Sequence, residues 1–342
     1  MTDLTSSPSG NMLNARRLSA VLTKLGPFLA LIALMVVLRL ALAFHENPTD
    51  FWSPNNLRFI LIQTSVVAIS ACGMTMIIVA GGIDLSVGST IALASVSGGL
   101  ILHAGYHPIL AIIAAMGSGM VVGVLNGSII AVFGIAPFIV TLGMMGIARG
   151  TAKLLADNGM VNFNTTWLNK LMQPLPIAND PLVMKWLMVA PGVWVAALVA
   201  IIMTVVMRRS VFGRNAYAIG SNEAAARLCG IQVRRTKIGI YALAGALFGL
   251  SGLLTMAQQS QGNPTTAAGL ELDVIAAVVI GGASLSGGAG TVIGTIIGAL
   301  IMSVLRSGTN QLGWDTPWQE ILIGLIIIIA VGIDRLRNRR AA

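Results

Sequence analysis

Charge is scarce in this chain. Asp, Glu, Lys and Arg make up 10% of its 342 residues, where a soluble protein carries about 25%. Cysteine is nearly absent as well. Cys72 falls in an apolar segment and Cys229 in a basic stretch, so no disulfide framework or cysteine metal site is implied. Only three histidines occur, His45, His103 and His107, all expected near the outer surface, so a proton relay through the core would need other groups. A Gly-x-x-x-x-Gly-Lys-Ser/Thr phosphate loop and a His-Glu-x-x-His zinc signature are both missing. If ATP drives this protein, another subunit must hold the nucleotide.

Apolar sequence is what the chain has in abundance: 56% of residues are hydrophobic and the mean hydropathy is +0.85. A bilayer-crossing helix needs about 20 mostly apolar residues. Ten segments qualify as candidates: 18–44, 57–80, 84–102, 108–133, 135–155, 182–207, 238–258, 268–281, 289–306 and 317–333. Continuous runs exclude the short alternating strands of a membrane barrel. The first segment is too long for a signal core and is read as an uncleaved helix. The fold class expected is an all-α polytopic membrane protein of about ten helices, one transmembrane domain over 1–342.

The net charge of +9 matters for its placement. Arg16, Arg17 and Lys24 flank the first segment, and Arg335, Arg337, Arg339 and Arg340 follow the tenth. Arg208, Arg209, Arg214, Arg227, Arg234, Arg235 and Lys237 lie between the sixth and seventh. Basic short loops stay cytoplasmic, and ten crossings put all three clusters, and both termini, on that side. These residues are loop anchors, not a nucleic-acid surface.

The octapeptide Gly81-Gly82-Ile83-Asp84-Leu85-Ser86-Val87-Gly88 returns as Gly281-Gly282-Ala283-Ser284-Leu285-Ser286-Gly287-Gly288. The copies open the third and ninth segments, six crossings apart, so both enter the membrane in one direction: a parallel repeat. The glycines permit a sharp turn, and Asp84 and Ser284 are expected to cap the helices that follow. A carboxylate at Asp84 also remains a candidate for substrate contact or gating, because an acid in the bilayer is costly. Gly119, Gly123 and Gly127, and again Gly290, Gly294 and Gly298, are four apart, which puts small residues on one face for close helix packing.

The eighth segment, 268–281, would rise only about 21 Å. It follows the polar run Gln258 to Pro264 and carries Glu271 and Asp273 in its first turn. Two arrangements suit this: a short helix after an outer loop, or a helix broken at membrane depth, where irregular backbone must line a cavity or be buried in protein. Under the second, Gln258, Asn263, Glu271 and Asp273 border a translocation path or gate, together with Asp84 and with Asn126 in GVLNG.

Between the sixth and seventh segments, 208–237 is read as a cytoplasmic loop. Asn222 or Ser221 can cap a short helix through the alanines, and Gly230 can end it. Its small residues and single acid suit docking to a soluble partner.

Four stretches together resemble a known family: GGIDLSVGS at 81–89, GVLNG at 123–127, FGRNAYAIGSNEAAARLCGI at 212–231 and LELDVIAAVVIGGASLSGG at 270–288. They are similar to the membrane permease of bacterial ribose-, xylose- and galactoside-type sugar-uptake ABC transporters. The resemblance implies two permease copies in the inner membrane, cytoplasmic subunits that use ATP and Mg, and a periplasmic sugar-binding protein. It implies that Asn215, Gly220, Asn222, Glu223, Ala224, Ala225, Gly230 and Ile231 form the coupling surface. The binding protein would meet loops 45–56, 157–181 and 307–316, and substrate would pass between the two permeases. The cargo implied is a pentose, hexose or polyol such as inositol. Aromatic residues are 5% of the chain, too few for an evident sugar-stacking platform, so specificity is expected to reside largely in the binding protein. The competing readings are a gradient-driven sugar transporter and a non-transporting receptor or scaffold.

Overall fold

Proline marks the helix starts. Pro54, Pro108, Pro137 and Pro191 each sit in a first turn, where a missing amide costs no intrahelical bond. The computed structural model describes residues 10–43, 51–173 and 189–339. The expected loop positions 45–50 and 174–181, the start of the sixth segment at 182–188, and the extreme termini lie outside them.

The helices are α1 (Gly10–Ala43), α2 (Pro54–Val79), α3 (Val87–His103), α4 (Pro108–Phe133), α5 (Pro137–Leu155) and α6 (Pro191–Arg209). They continue with α7 (Val211–Ser221), α8 (Glu223–Leu228), α9 (Val233–Gln259), α10 (Leu270–Ile280), α11 (Val292–Gln311) and α12 (Thr316–Arg339). Among the described residues, one antiparallel pair of two-residue strands, β1 (Val161–Asn162) and β2 (Gln261–Gly262), stands beside these helices. Each of the ten apolar segments corresponds to one helix. By length and composition, seven of the described helices can cross a membrane: α1 from Gly26, α2, α4, α5, α6, α9 and α11. The shorter ones are α3, the apolar part of α12 and the eleven-residue α10.

α2 is apolar on every side because every side is covered: it is buried from Thr64 to its end. It packs against α9, α11, α6 and α10. Hydroxyls cross these faces where an unpaired one would be costly. Ser70 Oγ donates to Ser251 Oγ at 2.8 Å, and the Thr75 and Thr295 hydroxyls are 2.7 Å apart. α4, α5 and α6 carry exposed apolar residues such as Ile113, Ile147 and Ile201, as a lipid-facing shell requires.

The four-residue glycine spacing becomes two seams. Gly119, Gly123 and Gly127 of α4 lie on the backbone of α9 around Gly245, Tyr241 and Ile238, and Gly249 faces Ala115 and Met116 in return. Gly294 and Gly298 of α11 rest on Gly281 and Ala277. Gly290 does not share that helical face: α11 begins at Val292, because Thr291 accepts the Gly294 amide at 3.1 Å and caps the helix there.

Between α9 and α10 the chain is non-helical, and β2 within it lies halfway along α3. Gly262 touches Ser95 and Val96, and the Asn263 amide donates to Ser95 Oγ at 3.3 Å.

Gly123→Leu would drive a side chain into the Tyr241 carbonyl of α9, so it should cost roughly 1–3 kcal/mol or more. Gly117, with nothing within 4 Å of an added Cβ, should accept Ala with no loss, or a gain of up to about 1 kcal/mol. Thermal unfolding of the detergent-solubilised variants checks both; equal losses would refute the seam.

Candidate functional site

The two Gly-Gly turns close their helices by the same bonds, one residue out of step. In the first, Gly81 takes the left-handed φ of +82° and the Gly82 amide donates to the Ile77 carbonyl at 2.9 Å. In the second, Gly282 takes that role with φ +92°, and the Ala283 amide reaches the Val278 carbonyl at 3.1 Å. Doubling the glycine lets either position supply the conformation that a side chain would oppose.

After the first turn the chain runs inward. Asp84 is buried. Its Oδ1 accepts from the Ser86 amide at 2.8 Å and the Ser86 hydroxyl at 2.6 Å, and its Oδ2 from Asn126 Nδ2 at 3.4 Å. Asn126 also donates to Ser86 Oγ at 3.0 Å. Thr141 Oγ1 accepts the Leu85 amide at 3.1 Å. The turn is thereby stapled to α4 by Asn126 and to α5 by Thr141.

The cap expected at Asp84 is displaced: Ser86 is the N-cap residue of α3. Asp84 closes an Asx turn onto Ser86, so helical geometry cannot begin until Val87. In the second copy, Ser284 Oγ lies 2.8 Å from Ser286 Oγ and the Ser284 amide donates to the Ala289 carbonyl at 3.0 Å. That longer turn leaves capping to Thr291.

The two turns meet. The Gly288 amide of the second donates to the Val79 carbonyl at the end of α2, at 2.8 Å. Against this bond lies Gly220 of α7: a Cβ there would strike the Val79 carbonyl and the Gly288 nitrogen. The Tyr217 hydroxyl of the same helix donates to the Gly290 carbonyl at 2.7 Å. α7, which the loop reading of 208–237 did not anticipate, is therefore seated on both turns.

The short helix expected through the alanines is α8. Asn222 caps it by accepting the Ala225 amide at 2.9 Å, and the Ile231 amide closes it on the Ala226 carbonyl at 3.1 Å, beyond Gly230. Ala226 packs inward with Ile219 and Val233, while Ala224 and Ala225 are exposed and Asn215 and Ile231 half-buried. Glu223 accepts from Lys237 at 2.7 Å and Arg227 at 3.1 Å. The Lys237 hydrogen bond, with Arg227 adding to it, holds the Glu223 carboxyl below the usual carboxylate range. The link is thus complete above that range and is lost only as pH falls through the depressed value. Beside it opens a cleft of about 480 Å³, lined by Asn222, Glu223, Arg234, Lys237 and Ser286 among others.

The six path candidates fall into three places. Asp84 and Asn126 share the staple. Gln258 is exposed in the last turn of α9, and Asn263 folds into an Asx turn with Thr265. Glu271 reaches Gly88 in the first turn of α3 and acts electrostatically on Arg149. Asp273 pairs with Arg306 at 2.6 Å. Sequence reasoning passed over Ser86, Thr141, Tyr217, Arg149 and Arg306. Two carried a readable signal: an arginine inside or at the end of an apolar segment demands partners. Arg149 finds the Pro264 and Thr266 carbonyls, at 3.0 and 2.6 Å.

Comparison with known proteins gives a consistent picture. The family described as "Branched-chain amino acid transport system / permease component" matches residues 56–331. The chain is 39% identical over 309 residues to the ribose import permease protein RbsC of Escherichia coli (strain K12), covering 90% of this chain and 94% of that one. It is 38% identical over 319 residues to the RbsC of Bacillus subtilis (strain 168), covering 93% and 94%. Against the fructose import permease protein FrcC of Rhizobium meliloti it is 36% identical over 298 residues, covering 85% and 81%. No solved structure matches.

Asp84→Leu would strip Ser86 and Asn126 of a buried acceptor, at a cost of roughly 1–3 kcal/mol for the groups left unpaired. Asp84→Asn, which keeps one carbonyl acceptor, should lose less. Chemical denaturation in mild detergent ranks the two; the reverse order would show that the staple does not hold the turn.

Proposed function

This chain belongs to the branched-chain amino acid transport system permease family and is homologous to bacterial ribose-type import permeases; from that premise we propose that it is the transmembrane subunit of an ATP-driven importer for a ribose-like monosaccharide. Proteins of this family are transport permeases, not enzymes. A multi-pass chain of this kind belongs in the bacterial inner membrane, and the basic clusters favour ten crossings with both termini cytoplasmic. The partners proposed are a second permease copy, a cytoplasmic ATP-binding subunit and a periplasmic sugar-binding protein.

One observation carries the coupling assignment: Gly220 is wedged against the bond that joins the two Gly-Gly turns. A partner gripping half-buried Glu223 and exposed Ala224 and Ala225 would move α8 and, through Asn222, α7. Because a helix is stiff along its axis, that push arrives at Val79 and Gly288 together, at the ends of the helix pairs α2–α3 and α10–α11. Residues 208–237 thereby act as the coupling segment, and Asn215, Gly230 and Ile231 shape its surface.

Substrate would pass along the face where Gln258, Asn263 and Glu271 interrupt apolar sequence, between this copy and its mate. The irregular backbone from 260 to 269, packed on the middle of α3, favours the broken-helix arrangement over a simple outer loop. The family description names branched-chain amino acids, whereas the most extensive matches above are ribose permeases; the latter cover nearly the full chain and favour a monosaccharide.

Reconstituted with its ATPase and binding protein, the chain should give ATP-dependent uptake of D-ribose or a related monosaccharide. Flux driven by an ion gradient with no ATPase present would replace this reading with a secondary transporter. Specific partner binding without flux would replace it with a scaffold. Ala224→Trp, at an exposed position, should leave the melting temperature unchanged and cut ATP-driven uptake about tenfold or more; normal uptake by that variant would sink the docking role.

A further inference from the structure

The cleft beside Glu223 carries more positive charge than its own walls balance. Arg227, Arg234 and Lys237 line it, and Glu223 is the one acid there among the described residues. That carboxylate is already spent, one oxygen on Lys237 at 2.7 Å and the other on Arg227 at 3.1 Å. Arg234 makes no ion pair among the described residues. The start of α9 sharpens the imbalance. It carries Arg234, Arg235 and Lys237 and has no acid in its first turn, although a helix start favours negative charge. Three cations facing one carboxylate, placed where a helix start repels them, call for an anion.

The opposite wall is of another kind. It is the turn from α4 into α5, with Gly134, Ile135, Ala136 and Pro137 on the cleft. The side chains exposed around it are apolar: Phe133 is 72% exposed and Phe138 53%. Leu142, one turn beyond Phe138, is exposed as well, so an apolar strip runs from the cleft along the lipid-facing side of α5. An occupant must suit both walls. A neutral sugar would leave the cations unbalanced. A small soluble anion would balance them and make no use of the apolar strip. An acidic segment of a soluble partner would have to lie against side chains of the lipid-facing shell. A phospholipid of net negative charge answers both walls. Its phosphate would meet Arg234 and Lys237, three residues apart on one face of α9, while an acyl chain lies along Phe138 and Leu142. At about 480 Å³ the cleft has room for a headgroup, and basic pockets at the cytoplasmic ends of membrane helices suit such groups.

We infer that this cleft binds the headgroup of one anionic phospholipid of the cytoplasmic leaflet. Ala224 and Ala225 are not on its walls, so lipid in the cleft and a partner on α8 are compatible. The inference uses the membrane orientation of the chain and not its cargo; its failure leaves the import reading standing, and absence of uptake leaves this one standing. Purified full-length chain in detergent is titrated with dioleoyl-phosphatidylglycerol or dioleoyl-phosphatidylcholine, and bound lipid is counted by native mass spectrometry. One phosphatidylglycerol should be retained per chain, about tenfold more tightly than phosphatidylcholine. Arg234→Gln should melt as wild type and weaken phosphatidylglycerol about fivefold. Glu223→Gln frees Lys237 and Arg227 from their carboxylate and should tighten it by a similar factor. Arg235→Gln, the neighbouring residue but off the cleft walls, should change nothing. Equal binding of the two lipids, or equal losses in Arg234→Gln and Arg235→Gln, would reduce the site to a diffuse basic surface. Release of the lipid by excess inorganic phosphate would assign the cleft to a soluble phosphate. Its release on adding the cytoplasmic ATPase would assign the cleft to an acidic partner. Each of these results overturns the lipid site.

Discussion

The last carbonyls of a helix have no partner within it, and the one at Val79, at the end of α2, is met by the Gly288 amide at 2.8 Å. The bond forms only because nothing on Gly220 stands in its way. It ties the end of α2 to the turn before α11, and it is the point on which α7 bears. The neighbouring seams obey the same rule. Gly123 on Tyr241 and Gly298 on Ala277 are backbone-to-backbone approaches that any side chain would forbid. In a medium where burying apolar area between helices gains little, such close packing is what holds them in register.

Much of this was legible in the sequence because hydropathy, glycine spacing and charge are local signals. Ten apolar runs map onto ten helices, the α4 glycines do form a packing face, and Asn222 and Gly230 do bound a short helix. What failed required knowledge of partners. Asp84 reads as a cap because its carboxylate suits free amides; whether it bonds the helix or an Asx turn depends on Ser86, two residues on, and on Asn126 from another helix. Gly290 keeps the four-residue spacing, yet Thr291 caps α11 beyond it. α7 was hidden inside a loop called cytoplasmic for its arginines, since positive charge reports the side of the membrane and not the backbone. The β1–β2 pair is too short to leave a pattern.

The two buried acids separate by the partners that hold them. Asp84 accepts from Ser86 and Asn126 through both of its oxygens, and these bonds hold the turn. Asp273 commits one oxygen to Arg306 and keeps the other unpaired. A sequence shows two carboxylates after glycine-rich or polar runs and cannot rank them. Their partners tell them apart: Asp84 is bonded within its own turn and to α4, and Asp273 to the Arg306 guanidinium of α11.

These two regions are connected by rigid elements. α2 carries Val67, which shares a small cavity with Asp273, and Val79 at the junction, about 18 Å apart along one buried helix. α10 carries Asp273 near its start and leads into the Gly281–Gly282 turn at its end. Helices packed this closely move as bodies, not as chains of independent residues. If α8 couples to a partner as proposed, a load that α7 places on Val79 and Gly288 would reach α2 and the turn between α10 and α11 together.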